Sequence, residues 1–203
     1  MALDRLSHRR QHALVALQQE NPPGPFAETV NLRALASELW RDVHRTGAEK
    51  DILVELRALP VPEIRSDPEA IREIMENLLS NALKYSPSHT TVTLRLAPTE
   101  RAVALSVTDE GPGLSPEDAA QVFHRFVRLP PKPTGGESSH GLGLHVSRRL
   151  ASMLGGELSV DSSLGSGSTF TLELPLESPR RPSRDPNPLI GLALLPGTQR
   201  FES

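Results

Sequence analysis

Two alternating apolar runs, Val92, Leu94, Leu96 and then Val103, Leu105, Val107, stand on either side of the short connection Pro98 to Arg101. A period of two gives each run one apolar and one polar face, and the connection suits an antiparallel hairpin. A sheet with one apolar face has to bury it under a second layer. The chain holds more runs of the same kind. Ile52, Val54 and Leu56 alternate, Pro60 and Pro62 mark their end, and Glu157 to Asp161 and Ser168 to Leu176 follow later. In the last of these, Phe170, Leu172 and Leu174 share a face. Helical spacing lies between the strands: Leu32, Leu35, Ala36, Leu39 and Val43, ending near Gly47; Ile71, Ile74, Met75, Leu78 and Ala82; and Val146, Leu150, Met153 and Leu154, closed by Gly155-Gly156.

Composition limits what such a layered core can serve. At 203 residues the chain holds one domain with a real core plus appendages. A formal net charge of -3 points to neither nucleic acid nor an acidic membrane surface. No cysteine is present, which excludes disulfides, thiolate metal sites and a cysteine nucleophile. Aromatic residues are 3% of the chain, too few for a base-stacking platform. No stretch approaches the roughly 18 apolar residues of a membrane span, and the N-terminus has no signal-peptide core. The expectation is a soluble, cytoplasmic protein.

The strand at 103–107 runs directly into Asp109-Glu-Gly111-Pro-Gly113. Two glycines one residue apart let a flat group approach the backbone, and an ionised Asp is a pure acceptor suited to an exocyclic amine. The same stretch also serves as a strand-to-helix turn with Asp as a cap. Upstream, Asp67-Pro68 opens a helix as N-cap and first helical residue, with Glu69 and Glu73 favouring its dipole. Asn77 and Asn81 lie four apart on that helix, Lys84 comes a turn later, and Tyr85-Ser86-Pro87 ends it. Two such amides can hold one hard cation, and Lys84 can meet a phosphate; equally, the amides can cap backbone or face water. Ser115-Pro116 opens a short helix carrying Val122, Phe123 and Phe126, with Arg125 and Arg128 near its end. Residues 129–140 have the proline and glycine content of a mobile loop, and Gly141-Leu-Gly143-Leu then starts a helix with backbone N–H groups open to an anion.

The ends differ from this middle. Residues 1–20 have helical spacing, with Leu3, Leu6, Ala13 and Leu17 near a heptad seam that Arg10 interrupts, and Asn21 to Pro25 forms a stiff linker. From Ser178 the chain is rich in proline and arginine and is expected to be mostly disordered, with a short apolar stretch at Leu189 to Leu195. The expected organisation is a helical stub and linker over 1–25, an ordered domain over 26–177 and a tail over 178–203.

Taken in order, these motifs resemble the ATP-binding catalytic domain of bacterial sensor histidine kinases, within the wider superfamily of gyrase-, heat-shock chaperone- and mismatch-repair-type ATPases. The resemblance covers about residues 30–176. The asparagine box is Glu76-Asn77-Leu-Leu-Ser-Asn81-Ala-Leu-Lys84-Tyr85, and the first glycine box is Asp109-Glu-Gly111-Pro-Gly113. The phenylalanine box is Phe123-His-Arg125-Phe126 and the second glycine box is Gly141-Leu142-Gly143-Leu144. Gly165-Ser-Gly167-Ser-Thr169-Phe170 is similar to the last glycine turn. Each motif alone is weak; their ordered set is specific.

The resemblance implies an α+β fold: a two-layer sandwich with a mixed, mostly antiparallel sheet covered by helices on one face. It also implies roles. Asp109 accepts from the adenine amine, and Gly111 and Gly113 admit the purine. Asn77 and Asn81 hold Mg²⁺ against the phosphates of ATP, while Lys84 and Tyr85 line the pocket. Gly141, Leu142, Gly143 and Leu144 belong to the phosphate-binding box, residues 129–140 form a lid, and Arg128 meets the terminal phosphate. Thr169 supports Asp109 from behind. Hydrolases of the superfamily carry a glutamate base four residues before the second asparagine; here that position is Asn77, and Glu76 lies about 100° round the helix. An amide cannot take a proton from water, so transfer is favoured over hydrolysis.

Two features depart from the pattern. Ser139 stands where a fuller second glycine box has glycine. The family's phosphoacceptor histidine sits on a two-helix dimerisation hairpin, and residues 1–20 resemble at most the end of its second helix. Ser7-His8-Arg9-Arg10 superficially resembles the acceptor motif, but no acid follows His8 to activate the imidazole. The expected function is the ATP·Mg²⁺-binding module of a sensor histidine kinase. It would act on a histidine of a dimerisation domain and through it on a response regulator. A protein Ser/Thr kinase of the anti-sigma-factor type, or a nucleotide-binding regulator without transfer, are the alternatives.

Overall fold

The computed structural model describes residues 28–125 and 142–176. The stub, the linker, the loop at 129–140 and the tail therefore lie outside the described residues, as do His8, Phe126, Arg128, Ser139 and Gly141. The elements, in chain order, are β1 (Glu28–Val30), α1 (Leu32–Glu49), β2 (Leu53–Ala58), β3 (Ile64–Ser66), α2 (Pro68–Tyr85), β4 (Thr91–Pro98), β5 (Ala102–Asp109), α3 (Pro116–Gln121), α4 (Gly143–Met153), β6 (Glu157–Ser162) and β7 (Ser168–Pro175).

Five strands form one sheet in the order β2-β4-β5-β7-β6. β2 pairs parallel with β4; β4–β5, β5–β7 and β7–β6 are antiparallel. The β4–β5 hairpin sets the register: Leu94 faces Val107 and Leu96 faces Leu105, while Val107 in turn faces Phe170 on β7. One face of the sheet is thus apolar except at its Asp109–Ser168 end, and Val92, Leu94, Leu96, Val103, Leu105, Val107, Leu158, Leu172 and Leu174 are all buried. The other face carries Arg95, Thr108, Asp161 and Glu173, all exposed. α1, α2 and α4 cover the apolar face, which is the α+β sandwich expected from the motifs.

α2 is the central helix of that layer. Asp67 caps it by accepting from the N–H groups of Glu69 and Ala70 at 3.0 and 3.1 Å, and Pro68 follows in the first turn. Its buried face is Ile71, Ile74, Met75, Leu78, Leu79, Ala82 and Leu83. Each large side chain there contributes about 1.5–3 kcal/mol by leaving water. The opposite flank stays half-buried and carries Asn77, Asn81 and Lys84. Burial of one face therefore holds the helix and keeps these polar residues together on the other.

α1 ends at Glu49, just past Gly47 as expected, while three other local expectations change. A side chain at Gly47 would sit 2.5 Å from Val54 Cγ2 and 2.9 Å from the Ile52 carbonyl, so glycine is there to let the helix press against β2. α3 ends at Gln121, and Val122 and Phe123 are buried in the turn beyond it rather than on the helix. β4 runs through Pro98, which the sequence placed in the connection. Finally, β1 and β3 form a separate two-stranded antiparallel pair, Glu28 facing Ser66 and Val30 facing Ile64. Three residues each are too few for an alternating pattern to show.

Candidate functional site

Asp109 is the last residue of β5, at the middle of the sheet. Its side chain is buried, at 7% exposure. The Gly111 N–H donates to Oδ1 at 2.9 Å, and the Ser168 backbone N–H also reaches the carboxylate. Burial outweighs both bonds and pushes the carboxyl above the ordinary carboxylate range, because a charge is costly where water is excluded. Among the described residues no cation pairs with it. A buried carboxylate without a partner cation costs stability, and such groups gather at ligand sites.

Three backbone segments converge on this carboxylate. A side chain at Gly111 would lie 2.7 Å from Asp109 Oδ1 and 3.2 Å from the Tyr85 carbonyl, so the end of α2 touches the loop there. Gly113 and Gly167 have φ of +66° and +80°, and any side chain on them would run into the Ser163 and Asp109 carbonyls respectively. The close approach that Gly113 allows within the protein is thus to the β6–β7 turn. Hydrogen bonds tie the same segments: Gly165 N–H to the Pro112 carbonyl at 2.8 Å and Leu114 N–H to Ser162 Oγ at 2.9 Å. Ser162 gives its one proton to the Gly167 carbonyl at 2.8 Å, so in the 2.9 Å pair with Ser168 the Ser168 hydroxyl is the donor.

Thr169 does not support Asp109. It faces Thr108 across the β5–β7 pair, and the two hydroxyls lie 2.9 Å apart. Neighbouring residues of a strand point to opposite faces, so Thr169 belongs to the solvated side of the sheet. Ser168, which faces Asp109 in the register and is buried, takes the supporting position. The alternation was visible in the sequence, but which residue of β7 stands opposite Asp109 depends on the pairing register.

The other flank of the site is made by α2 and α4. Asn77 Nδ2 donates to Ser147 Oγ at 2.8 Å. Asn81, a turn further on, is half-buried and makes no hydrogen bond to a described residue. Lys84 Nζ lies 5.6 Å from the centre of the Tyr85 ring. Gly143 opens α4 directly against Asn77, since a side chain at Gly143 would collide with Asn77 Oδ1. Leu142 is half-buried, and Leu144 packs on the core. α1, α2 and α3 begin with Asn31, Asp67 and Ser115 accepting from their own first-turn N–H groups, whereas Leu142 offers α4 no such acceptor.

The structure therefore brings Asp109, Gly111, Gly113 and Tyr85 together at one end of β5, and Asn77 and Gly143 together on its helical flank. Ser147, Ser162 and Ser168 were missed. Ser147 lies one helical turn after Gly143, the only trace it leaves in the sequence. The residues also fit a magnesium nucleotide. The described residues contain no cluster of three or more His, Cys, Asp or Glu side chains. The available donors are the neutral amide oxygens of Asn77 and Asn81, hard ligands that suit an ion held mainly by phosphate oxygens.

Residues 66–178 match the family of histidine kinase-, DNA gyrase B-, and HSP90-like ATPases, and the chain belongs to that family. The adaptive-response sensory kinase SasA of Synechococcus sp. (strain JA-2-3B'a(2-13)) is 35% identical over 147 residues, covering 71% of this chain and 37% of the relative. The chain thus spans little more than a third of that relative's length. Among solved structures, full-length ShkA in complex with AMPPNP superposes with a TM-score of 0.72 at 27% identity, over 87% of this chain and 36% of that one. The mycobacterial sensor histidine kinase MprB does so with a TM-score of 0.63 at 27% identity, over 75% of this chain and 99% of that one. No helix among the described residues is long and apolar enough to cross a membrane.

Proposed function

We propose that this chain is the ATP·Mg²⁺-binding catalytic module of a sensor histidine kinase. It passes the γ-phosphoryl group to a histidine on a dimerisation domain, from which a response regulator is served. The observation that carries the reading is Asp109: a buried acceptor with no partner cation among the described residues, at the end of the central strand, beside Gly111 and the end of α2. The kinase names of SasA and MprB support it.

In this reading Asp109 selects adenine by accepting from its exocyclic amine, and Tyr85 and the Gly111–Gly113 backbone bound the base. The uncapped first turn of α4, with Gly141, Leu142, Gly143 and Leu144, offers N–H groups to the phosphates. Lys84 and Arg128 supply positive charge along them. Asn77 and Asn81 would hold Mg²⁺, which when bound neutralises charge on the phosphate oxygens. Asn77 cannot act as a base toward water, so the site favours transfer to a positioned acceptor over hydrolysis. Residues 1–20 as the end of a dimerisation helix followed by a linker over 21–25, 178–203 as a tail, and a cytoplasmic location belong to the same proposal.

Incubation with γ-labelled ATP, with and without candidate dimerisation domains, tests it. Acid-labile, base-stable label on the dimerisation domain is the expected result. Acid-stable label would instead indicate a Ser/Thr kinase, and tight ATP binding without any transfer would indicate a regulator.

A further inference from the structure

We infer that Ser147 is a positioning residue for the metal side of the site, acting by orienting the Asn77 amide. This rests on the ATP·Mg²⁺ reading above. Ser147 is 1% exposed, and its hydroxyl bonds to Asn77 alone among the described residues. The contact joins two helices across 70 positions of sequence at 2.8 Å. Because the hydroxyl accepts from Nδ2, the amide is held with Oδ1 toward Gly143 and the first turn of α4. Gly143 has no side chain to block that oxygen, and any other residue there would collide with it.

An amide ligand binds a hard cation only through its oxygen. A freely turning Asn77 would present Nδ2 to the ion part of the time and lose affinity accordingly. With Ser147 taking the NH₂ end, the carbonyl end is left for the metal; the flipped amide would set Nδ2 against the first turn of α4, whose own N–H groups are donors, so the hydroxyl and that turn together fix the orientation. Partners that orient a ligand in this way typically matter about 10–100-fold in metal affinity when removed. Asn81 has no such partner among the described residues, so orientation at this site is imposed on one amide of the two.

Calorimetric titration of the nucleotide-free protein with ATP, in the presence of Mg²⁺ and again in excess EDTA, tests the inference. Ser147→Ala should weaken MgATP binding about tenfold or more and leave metal-free ATP binding unchanged. A double-mutant cycle adds a second reading: once Asn77→Ala is present, Ser147→Ala should cost nothing further. Unchanged MgATP affinity, equal loss with and without metal, or additive losses in the cycle would each overturn the assignment. Should Ser147→Ala melt well below the parent, Ser147→Cys, of nearly equal size and a weak acceptor, is read by the same criteria. A parent protein that binds no ATP under either condition overturns the functional reading itself, and this inference with it.

Discussion

Asp109 works against the fold it sits in. Its folded-state pKa is raised by burial, so on acidification the folded protein takes up a proton there before the unfolded chain does. Its contribution to stability is therefore greatest below the unfolded value and is lost as pH rises through the folded value. At neutral pH the buried charge is a net cost. Asp109→Asn keeps an acceptor for the Gly111 N–H and removes the charge. Its melting temperature at pH 7 should equal or exceed that of the parent, and the gap should narrow toward acid pH. ATP affinity should fall at least 100-fold in the same variant, about the 3 kcal/mol lost when a charged hydrogen-bonding partner is removed. A variant that melts lower yet still binds ATP would contradict both halves of the argument. Asn81→Ala belongs to the same scale. Its loss of affinity should appear with Mg²⁺ and vanish in EDTA, as calorimetry can show, because the amide has no bond to a described residue to lose.

α2 separates the work of holding from the work of binding by face. Ile74 is fully buried at 0% exposure, and Ile74→Ala should destabilise the domain by about 2–5 kcal/mol in chemical denaturation. Asn81→Ala on the other flank should change stability by under about 0.5 kcal/mol. Nearly equal effects would mean that the two faces are not independent. The apolar stripe from Ile71 to Ala82 was plain in the sequence because its spacing stays periodic over successive turns of the helix. The Asp67-Pro68 start was plain because capping is local chemistry. The role of Gly47 was not: it has the look of a helix stop, and only the nearness of Val54 shows that it serves packing. β1 and β3 were silent for a different reason: each is defined by its partner more than by its own residues.

At the scale of the whole molecule, the site exists because the β6–β7 turn meets the loop after β5. Gly167 makes that meeting possible, with φ of +80° and the Asp109 carbonyl against its α-carbon. Gly165, two residues away, has φ of +77° but open space around it. Gly165→Ala should cost only the left-handed backbone term, about 1–2 kcal/mol. Gly167→Ala should cost more and abolish ATP binding, since the turn must retreat from Asp109. Equal melting temperatures for the two variants would refute this account of the turn. The ordered motifs, from Asn77 through Asp109 to Gly143 and Gly167, were sufficient by themselves to determine the family and the layered fold, because periodicity, caps and glycines are written residue by residue. Which side chains stand together was decided only by tertiary structure. Ser168 rather than Thr169 faces Asp109 because strand register is a property of two strands. Ser147 reaches Asn77 because helix packing joins residues 70 positions apart, a distance over which local sequence carries no signal.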